Sequence, residues 1–224
     1  MRDRVRPGIS TLELEKHVEK RLAELGARPA FKGYRGYPCC LCTSVNDEII
    51  HGIPSGRRLA EGDVLSLDMG VVLDGYYGDS ALTLPVGKIS ERLERLLRVT
   101  EQALEAAIGK VKLGNRVGDI SAAVQQYAEG HGYNVVREFV GHGVGRELHE
   151  EPQVPNYGKA GRGAVLKEGM VLAIEPMVTE GSEKLRVLDD HWTAVTLDGG
   201  YSAHFEHMVA VTRNGPDVLT RLSA

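Results

Sequence analysis

The hydrophobic pattern separates the chain into helical and strand-like stretches. Leu14, Val18, Leu22 and Leu25 recur at helical spacing behind Ser10-Thr11-Leu12-Glu13, and Gly26 closes the run. An S-x-x-E start has the form of a capping box, so the spacing predicts an amphipathic helix with one buried stripe. Residues 90–109 repeat the pattern, with Leu93, Leu96, Leu97, Leu104 and Ile108 apolar and glutamates and arginines opposite. A shorter helix is predicted over 119–129, with Ile120, Val124 and Tyr127 on its stripe and Gly130 as its stop. Strand-like runs occupy 43–45, 49–50, 64–69, 76–84, 135–140, 170–174, 185–190, 192–197 and 205–211. Helices and strand-like runs thus alternate along the chain.

The hairpin fixes a register. Asp74-Gly75 between two apolar runs is a two-residue turn signal. Leu73 then faces Tyr76, Gly70 faces Asp79 and Asp68 faces Ala81. Opposed residues share a face, as do residues two apart, so Asp68 and Asp79 become diagonal neighbours on one side. Ser66 and Gly70 accompany Asp68 there, while Leu65, Leu67 and Met69 point the other way into apolar packing. Two aspartates side by side repel unless a cation or a shared proton lies between them. Neither Lys nor Thr occurs between Ser66 and Ser80, which favours a metal over a solvated face.

Three further segments add candidate ligands, two of them by holding charge where a core residue is expected. The apolar run 170–174 leads straight into Glu175-Pro176-Met177, and a glutamate there is costly to bury without a partner. In 205–211, period two sets Glu206 on a face with Met208 and Ala210. Gly141-His142-Gly143-Val144-Gly145 reads as an active-site loop, since alternate glycines offer little packing surface but let other groups come close. Asp68, Asp79, His142, Glu175 and Glu206 together form an oxygen-rich ligand set that suits Mn²⁺, Fe²⁺ or Co²⁺ and accepts Zn²⁺. One ion would be overserved, whereas two ions at roughly 3.5–4 Å would use the negative charge fully and make a nucleophile at neutral pH. His51, at a strand end, and His149 are then free to orient substrate or stabilise a tetrahedral intermediate.

Composition narrows the setting. The 224 residues suffice for a sizeable core, and one domain spanning 1–224 is expected. No apolar run approaches the ~20 residues of a membrane-spanning helix, and Arg2, Asp3, Arg4 and Arg6 leave no room for a signal-peptide core, so a cytoplasmic protein is expected. A net charge of −4, with lysines and arginines interleaved with glutamates, argues against a large nucleic-acid footprint. All three cysteines lie in Cys39-Cys40-Leu41-Cys42, and Cys39-x-x-Cys42 lacks the second ligand pair of a structural zinc site, so reduced thiols beside a strand are expected.

Taken in order, Asp68 and Asp79, Gly141-His142-Gly143-Val144-Gly145 with His149-Glu150-Glu151-Pro152, Ile174-Glu175-Pro176-Met177 and Phe205-Glu206-His207 resemble type I methionine aminopeptidase, from about Val5 to the C-terminus. The resemblance implies the α+β class and the pita-bread fold: pseudo-two-fold halves around a central antiparallel sheet with flanking helices. It implies co-translational removal of initiator methionine, preferentially before a small second residue, by hydroxide activated on two divalent ions (Co²⁺, Mn²⁺, Fe²⁺ or Zn²⁺). By that resemblance Asp68 chelates one ion, Asp79 and Glu206 bridge both, and His142 and Glu175 complete the other shell. Glu175 also accepts the proton of the attacking water, His149 contacts the scissile carbonyl and His51 the amide. Tyr34, Tyr37, Cys42 and Trp192 carry over as the methionine pocket. The implied partners are peptides and nascent chains beginning with methionine, met during transient ribosome contact, and the expected state is a monomer.

Three positions depart from the family pattern. Phe31 stands where a bacterial pocket often has cysteine, and Leu148 where it often has phenylalanine, so one side gains bulk and the other loses it. The two changes are expected to offset each other and preserve methionine selectivity. The family's first N-terminal helix has no counterpart before Pro7-Gly8-Ile9-Ser10, which predicts an exposed apolar patch on the sheet's outer side and a tendency to self-associate. Two other readings stay open. Proline-specific peptidases of the same fold share the five ligands, although they usually carry an arginine before the last glutamate and an aspartate after it. A non-catalytic relative would keep the fold as a binding module, although such relatives tend to lose ligands.

Overall fold

The computed structural model describes residues 1–221, so the last three residues of the expected 1–224 domain lie outside the described residues. Helix α1 (Thr11–Glu24) starts at the predicted capping box: Glu13 N–H donates to Ser10 Oγ (3.2 Å) and Ser10 N–H to the Glu13 carboxylate (2.9 Å). Its stripe of Leu14, Val18 and Leu22 packs against Leu65, Leu67 and Leu84 of the hairpin. The same helix buries Glu15 to 4 % exposure, where its carboxylate accepts from Cys40 N–H (2.7 Å) and Leu41 N–H (2.9 Å). A buried carboxylate thus ties the segment before strand Cys42–Val45 to α1, with charge-assisted bonds in place of a basic partner.

Strands Val64–Leu73 and Tyr76–Pro85 form the predicted hairpin, with Leu73 opposite Tyr76, Gly70 opposite Asp79 and Asp68 opposite Ala81. Asp74 (φ 51°) and Gly75 (φ 80°) supply the two positive φ angles that a two-residue type I′ turn requires. Cys42–Val45 pairs with Val64–Leu73, bringing Cys42 opposite Asp68. A second sheet runs in the order Gly215–Val218, His207–Thr212, Val171–Ile174, Gly141–Gly143, Glu150–Val154. Helices α2 (Glu91–Ile108) and α3 (Val117–Gly130) cover it, packing Leu96, Leu104, Ile120 and Val124 with Leu172, Ile174 and Val209. The two halves meet where Glu206 N–H donates to Ala81 C=O (2.8 Å) and Ser80 Oγ–H to Glu206 C=O (3.2 Å). Every strand pairing among the described residues is antiparallel. This is the expected α+β pita-bread arrangement.

Two local expectations change. The run 135–140 is not a strand throughout: only Asn134–Val135 is in a ladder, while Val136 packs with Ile49 and Met177, and Phe139 and Val140 turn to a cavity. Apolar character there serves a small cluster and a pocket wall instead of a sheet. The glycine-rich stretch is not a loop at its core either, because Gly141–Gly143 is a strand. A Cβ on Gly141 would stand 2.3 Å from Ala173 O, and one on Gly143 would stand 2.4 Å from Glu151 O. These glycines admit neighbouring backbone at close quarters and are not there for flexibility.

Apolar surface does lie on the outer side of the hairpin. Val18, Leu22, Leu25, Met69, Val71 and Leu73 line a groove between it and α1, with Met1 along its edge, and Leu25 is 63 % and Leu73 51 % exposed.

Candidate metal centre and substrate cavity

The hairpin contributes Asp68 and Asp79, and the second half contributes His142 from its glycine strand, Glu175 just past Val171–Ile174 and Glu206 just before His207–Thr212. All five are buried, none more than 7 % exposed. One ligand atom each from Asp79, His142 and Glu206 fall within 4.8 Å of one another. Glu175 Oε1 lies 3.6 Å from His142 Nε2, and Asp79 Oδ2 lies 4.0 Å from it. His142 Nδ1 sits 2.9 Å from Gly143 C=O, the geometry of an N–H donated to a carbonyl, which leaves the Nε2 lone pair facing the carboxylates.

Electrostatics mark the same place. Burial and the neighbouring Asp79 push the Asp68 carboxyl well above its usual range, and burial pushes Asp79 up to about 7. Glu175 and Glu206 are raised well above theirs, first by burial and then by the other carboxylates. Asp68 Oδ1, Asp79 Oδ1 and Glu206 Oε1 are buried without a hydrogen-bond partner, and no lysine or arginine among the described residues pairs with the four acids. So many unpartnered anionic oxygens beside a bare imidazole nitrogen form a donor set that fits divalent cations.

A cavity of about 300 Å³ opens onto these ligands. Its wall holds every other residue singled out in the sequence: Phe31, Tyr34, Tyr37, Cys42, His51, Leu148, His149 and Trp192. Tyr37 Oη donates to Leu41 C=O and Gly52 C=O (3.1 Å each), and its ring meets Trp192 edge-on at 5.1 Å. Phe31 covers Gly70, where a Cβ would stand 2.5 Å from the ring, which explains the small residue beside Asp68. Phe31 and Leu148 belong to one apolar cluster with Ala30 and Val72. His149 lies 4.3 Å from the His142 ring, centroid to centroid, and its Nδ1 is 2.8 Å from Tyr34 Oη. His51 adopts φ 61°, an uncommon conformation for a side-chain-bearing residue, and packs edge-on against Phe139 at 5.3 Å. Burial lowers both His51 and His149 to about 4, with His142 and Arg35 also acting on His149.

The sequence reading did not single out Arg35, Ile50, Glu138, Phe139 and Val140, which also line the cavity, nor His204, 1 % exposed with Nε2 3.7 Å from Glu175 Oε2. For His204 a signal existed: it precedes Glu206 by two residues, the period that keeps a strand's side chains on one face. The Cys39-Cys40-Leu41-Cys42 segment holds free thiols, and Cys42 joins the cavity wall.

A set of buried carboxylates drawn from both halves of an α+β frame is the plan of a metallopeptidase, and the chain belongs to metallopeptidase family M24, which it matches over residues 1–213. Within that family it is 51 % identical over 220 residues to a methionine aminopeptidase of Clostridium perfringens, covering 98 % of this chain and 88 % of the relative. It is likewise 51 % identical over 222 residues to methionine aminopeptidase 1 of Bacillus subtilis, covering 99 % and 90 %. Among solved structures, methionine aminopeptidase from Thermotoga maritima superposes with TM-score 0.97 at 50 % identity, covering 99 % of this chain and 89 % of that one. Prolidase from Pyrococcus furiosus gives 0.79 at 25 % identity, covering 99 % and 58 %.

Proposed function

We propose that the chain, acting over 1–224 as one catalytic domain, hydrolyses the first peptide bond of polypeptides that begin with methionine, on nascent chains in the cytoplasm and preferentially before a small second residue. The observation that carries this reading is the union of the five-ligand cluster with a cavity of about 300 Å³ whose wall beyond the ligands includes Phe31, Tyr37, Cys42, Leu148 and Trp192. The higher identity to methionine aminopeptidases than to prolidase supports methionine over proline selectivity.

Asp68, Asp79, His142, Glu175 and Glu206 are the residues that would hold divalent cations, Asp79, His142 and Glu206 already lying within 4.8 Å of one another. Bound cations neutralise the acids and supply a nucleophile at neutral pH. The methionine side chain enters the pocket of Phe31, Tyr37, Cys42, Leu148 and Trp192. Glu175 takes the proton of the water whose oxygen attacks the scissile carbon, and returns it to the nitrogen as the C–N bond breaks. If Tyr34 Oη donates to His149 Nδ1, then Nε2 carries the proton and donates to the carbonyl oxygen as charge develops there. His51, lowered to about 4, is neutral at physiological pH and bonds the amide.

The test is turnover of a Met-Ala peptide beside an X-Pro peptide with Mn²⁺ or Co²⁺ supplied. Release of methionine from the first, with little cleavage of the second, is expected. The opposite preference assigns a proline-specific peptidase, and no cleavage of either assigns a binding module.

A further inference from the structure

Glu175 is the one acid of the cluster whose two oxygens face two different imidazoles: Oε1 lies 3.6 Å from His142 Nε2 and Oε2 lies 3.7 Å from His204 Nε2. His142 belongs to the ligand group, whereas His204 does not. His204 closes strand Ser202–His204 and faces Met177 across the ladder, beside the corner at which Glu175 and Pro176 leave the sheet. Its backbone is clamped. His204 N–H donates to Thr83 Oγ1 (2.8 Å), Thr83 Oγ1–H donates to His204 C=O (2.8 Å), and Ser66 Oγ lies 2.8 Å from the same hydroxyl. Those anchors fix the ring root to the hairpin that carries Asp68 and Asp79. The ring itself is buried at 1 % exposure, yet Nε2 has no hydrogen-bond partner. A buried ring nitrogen without a partner is rare, and the Glu175 carboxylate 3.7 Å away is the group placed to take its proton in a hydrogen bond. Active-site hydrogen bonds that are long in the free protein tighten in the working complex.

We propose that His204 is a positioning residue for the reaction: its Nε2–H holds Oε2 of Glu175, so that Oε1 stays turned to the cluster and the carboxylate is presented in one orientation to the water. Its task resembles that of the Gly143 carbonyl on His142, one layer out from the ligands, where removal of such partners typically costs 10–100-fold in metal affinity or activity. Asn156 completes the frame by donating from Nδ2 to the Glu175 backbone carbonyl (3.1 Å), which fixes the main chain and leaves the side chain to His204. The inference rests on the functional reading above for its kinetic consequence, while the approach of Nε2 to Oε2 at 3.7 Å stands independently of it.

The test has two arms. In Zn²⁺-loaded protein with ¹⁵N-labelled histidine, His204 Nε2 is expected to be the protonated ring nitrogen, and its shift is expected to move in Glu175→Gln. A ring protonated on Nδ1, or a shift indifferent to Glu175→Gln, overturns the contact. In the metal-loaded enzyme, His204→Leu is expected to lower kcat on Met-Ala-Ser by roughly 10–100-fold with KM within about threefold, and His204→Gln, which keeps a donor at similar reach, to recover most of the loss. A kcat for His204→Leu within about twofold of wild type, or no recovery in His204→Gln, overturns the positioning role. If His204→Leu does not fold, His204→Met takes its place, and the nitrogen shifts need neither variant. If the wild type releases no methionine, the functional reading fails, and the shifts alone decide the contact.

Discussion

Removing a ligand should stabilise the metal-free protein. Asp79 is 5 % exposed and its carboxyl is raised by burial from 3.8 to about 7. A raised carboxyl binds its proton in the folded state at pH values where the unfolded chain has released it. Stability from this group is therefore fully present below about pH 4 and is lost as pH rises to about 7. At ~1.36 kcal/mol per pH unit, the loss across that window is on the order of 4 kcal/mol, or roughly 10 °C in Tm for a chain of this size. His51, His149 and His204, lowered by burial, act in the opposite sense as pH rises through their own range, so wild type alone gives a mixed slope. Asp79→Asn removes the term, because a neutral amide resembles the protonated acid, and it also relieves Asp68, Glu175 and Glu206 of the Asp79 charge, in the same direction. In chelator, the variant is expected to match wild type near pH 4 and to exceed it by several kcal/mol near pH 7.5, measured by urea unfolding at each pH. With saturating Mn²⁺ the order reverses, since cation binding then stabilises wild type more than a variant short of one ligand. A variant less stable than wild type at pH 7.5 in chelator, or a difference that does not grow with pH, refutes the view that the cluster is strained by unneutralised charge.

Other consequences follow from single contacts. Glu15→Ala strands the Cys40 and Leu41 amides and is expected to cost roughly 2–5 kcal/mol in urea unfolding, against well under 1 kcal/mol for an exposed glutamate of α1 such as Glu24. Because Phe31 and Leu148 share one cluster, Leu148→Phe should overfill it and lower kcat/KM for a methionine peptide, while wild type keeps methionine ahead of leucine and norleucine; equal cleavage of all three counts against offsetting bulk. The groove with exposed Leu25 and Leu73 is expected to cause concentration-dependent association in sedimentation, weakened by Leu25→Lys; a monomer at every concentration counts against it.

The hairpin was legible in sequence because Asp74-Gly75 sets the register locally, and every side assignment from Ser66 to Ala81 follows from period two. Asp68 and Asp79 were legible from that register, Glu175 and Glu206 as charges where local pattern calls for burial, and His142 from its glycine-rich surroundings. Gly141 and Gly143 were misread because their cause is distant, namely carbonyls of Ala173 and Glu151 that arrive only when the sheet forms. The run 135–140 shows the converse, since apolar composition alone does not separate a ladder from a pocket wall. For His204 the period-two spacing to Glu206 was the one local signal, and its meaning comes from Glu175, which lies opposite it only in the fold.

The most direct test of the central claim is methionine release from Met-Ala-Ser by metal-stripped protein as a divalent cation is titrated in, for wild type and for Glu175→Gln. The account predicts no release without the cation, activity that rises as the ligand cluster fills, and almost none at any cation level in Glu175→Gln, whose circular dichroism matches wild type. Release that persists in chelator, or a Glu175→Gln rate near that of wild type, contradicts it.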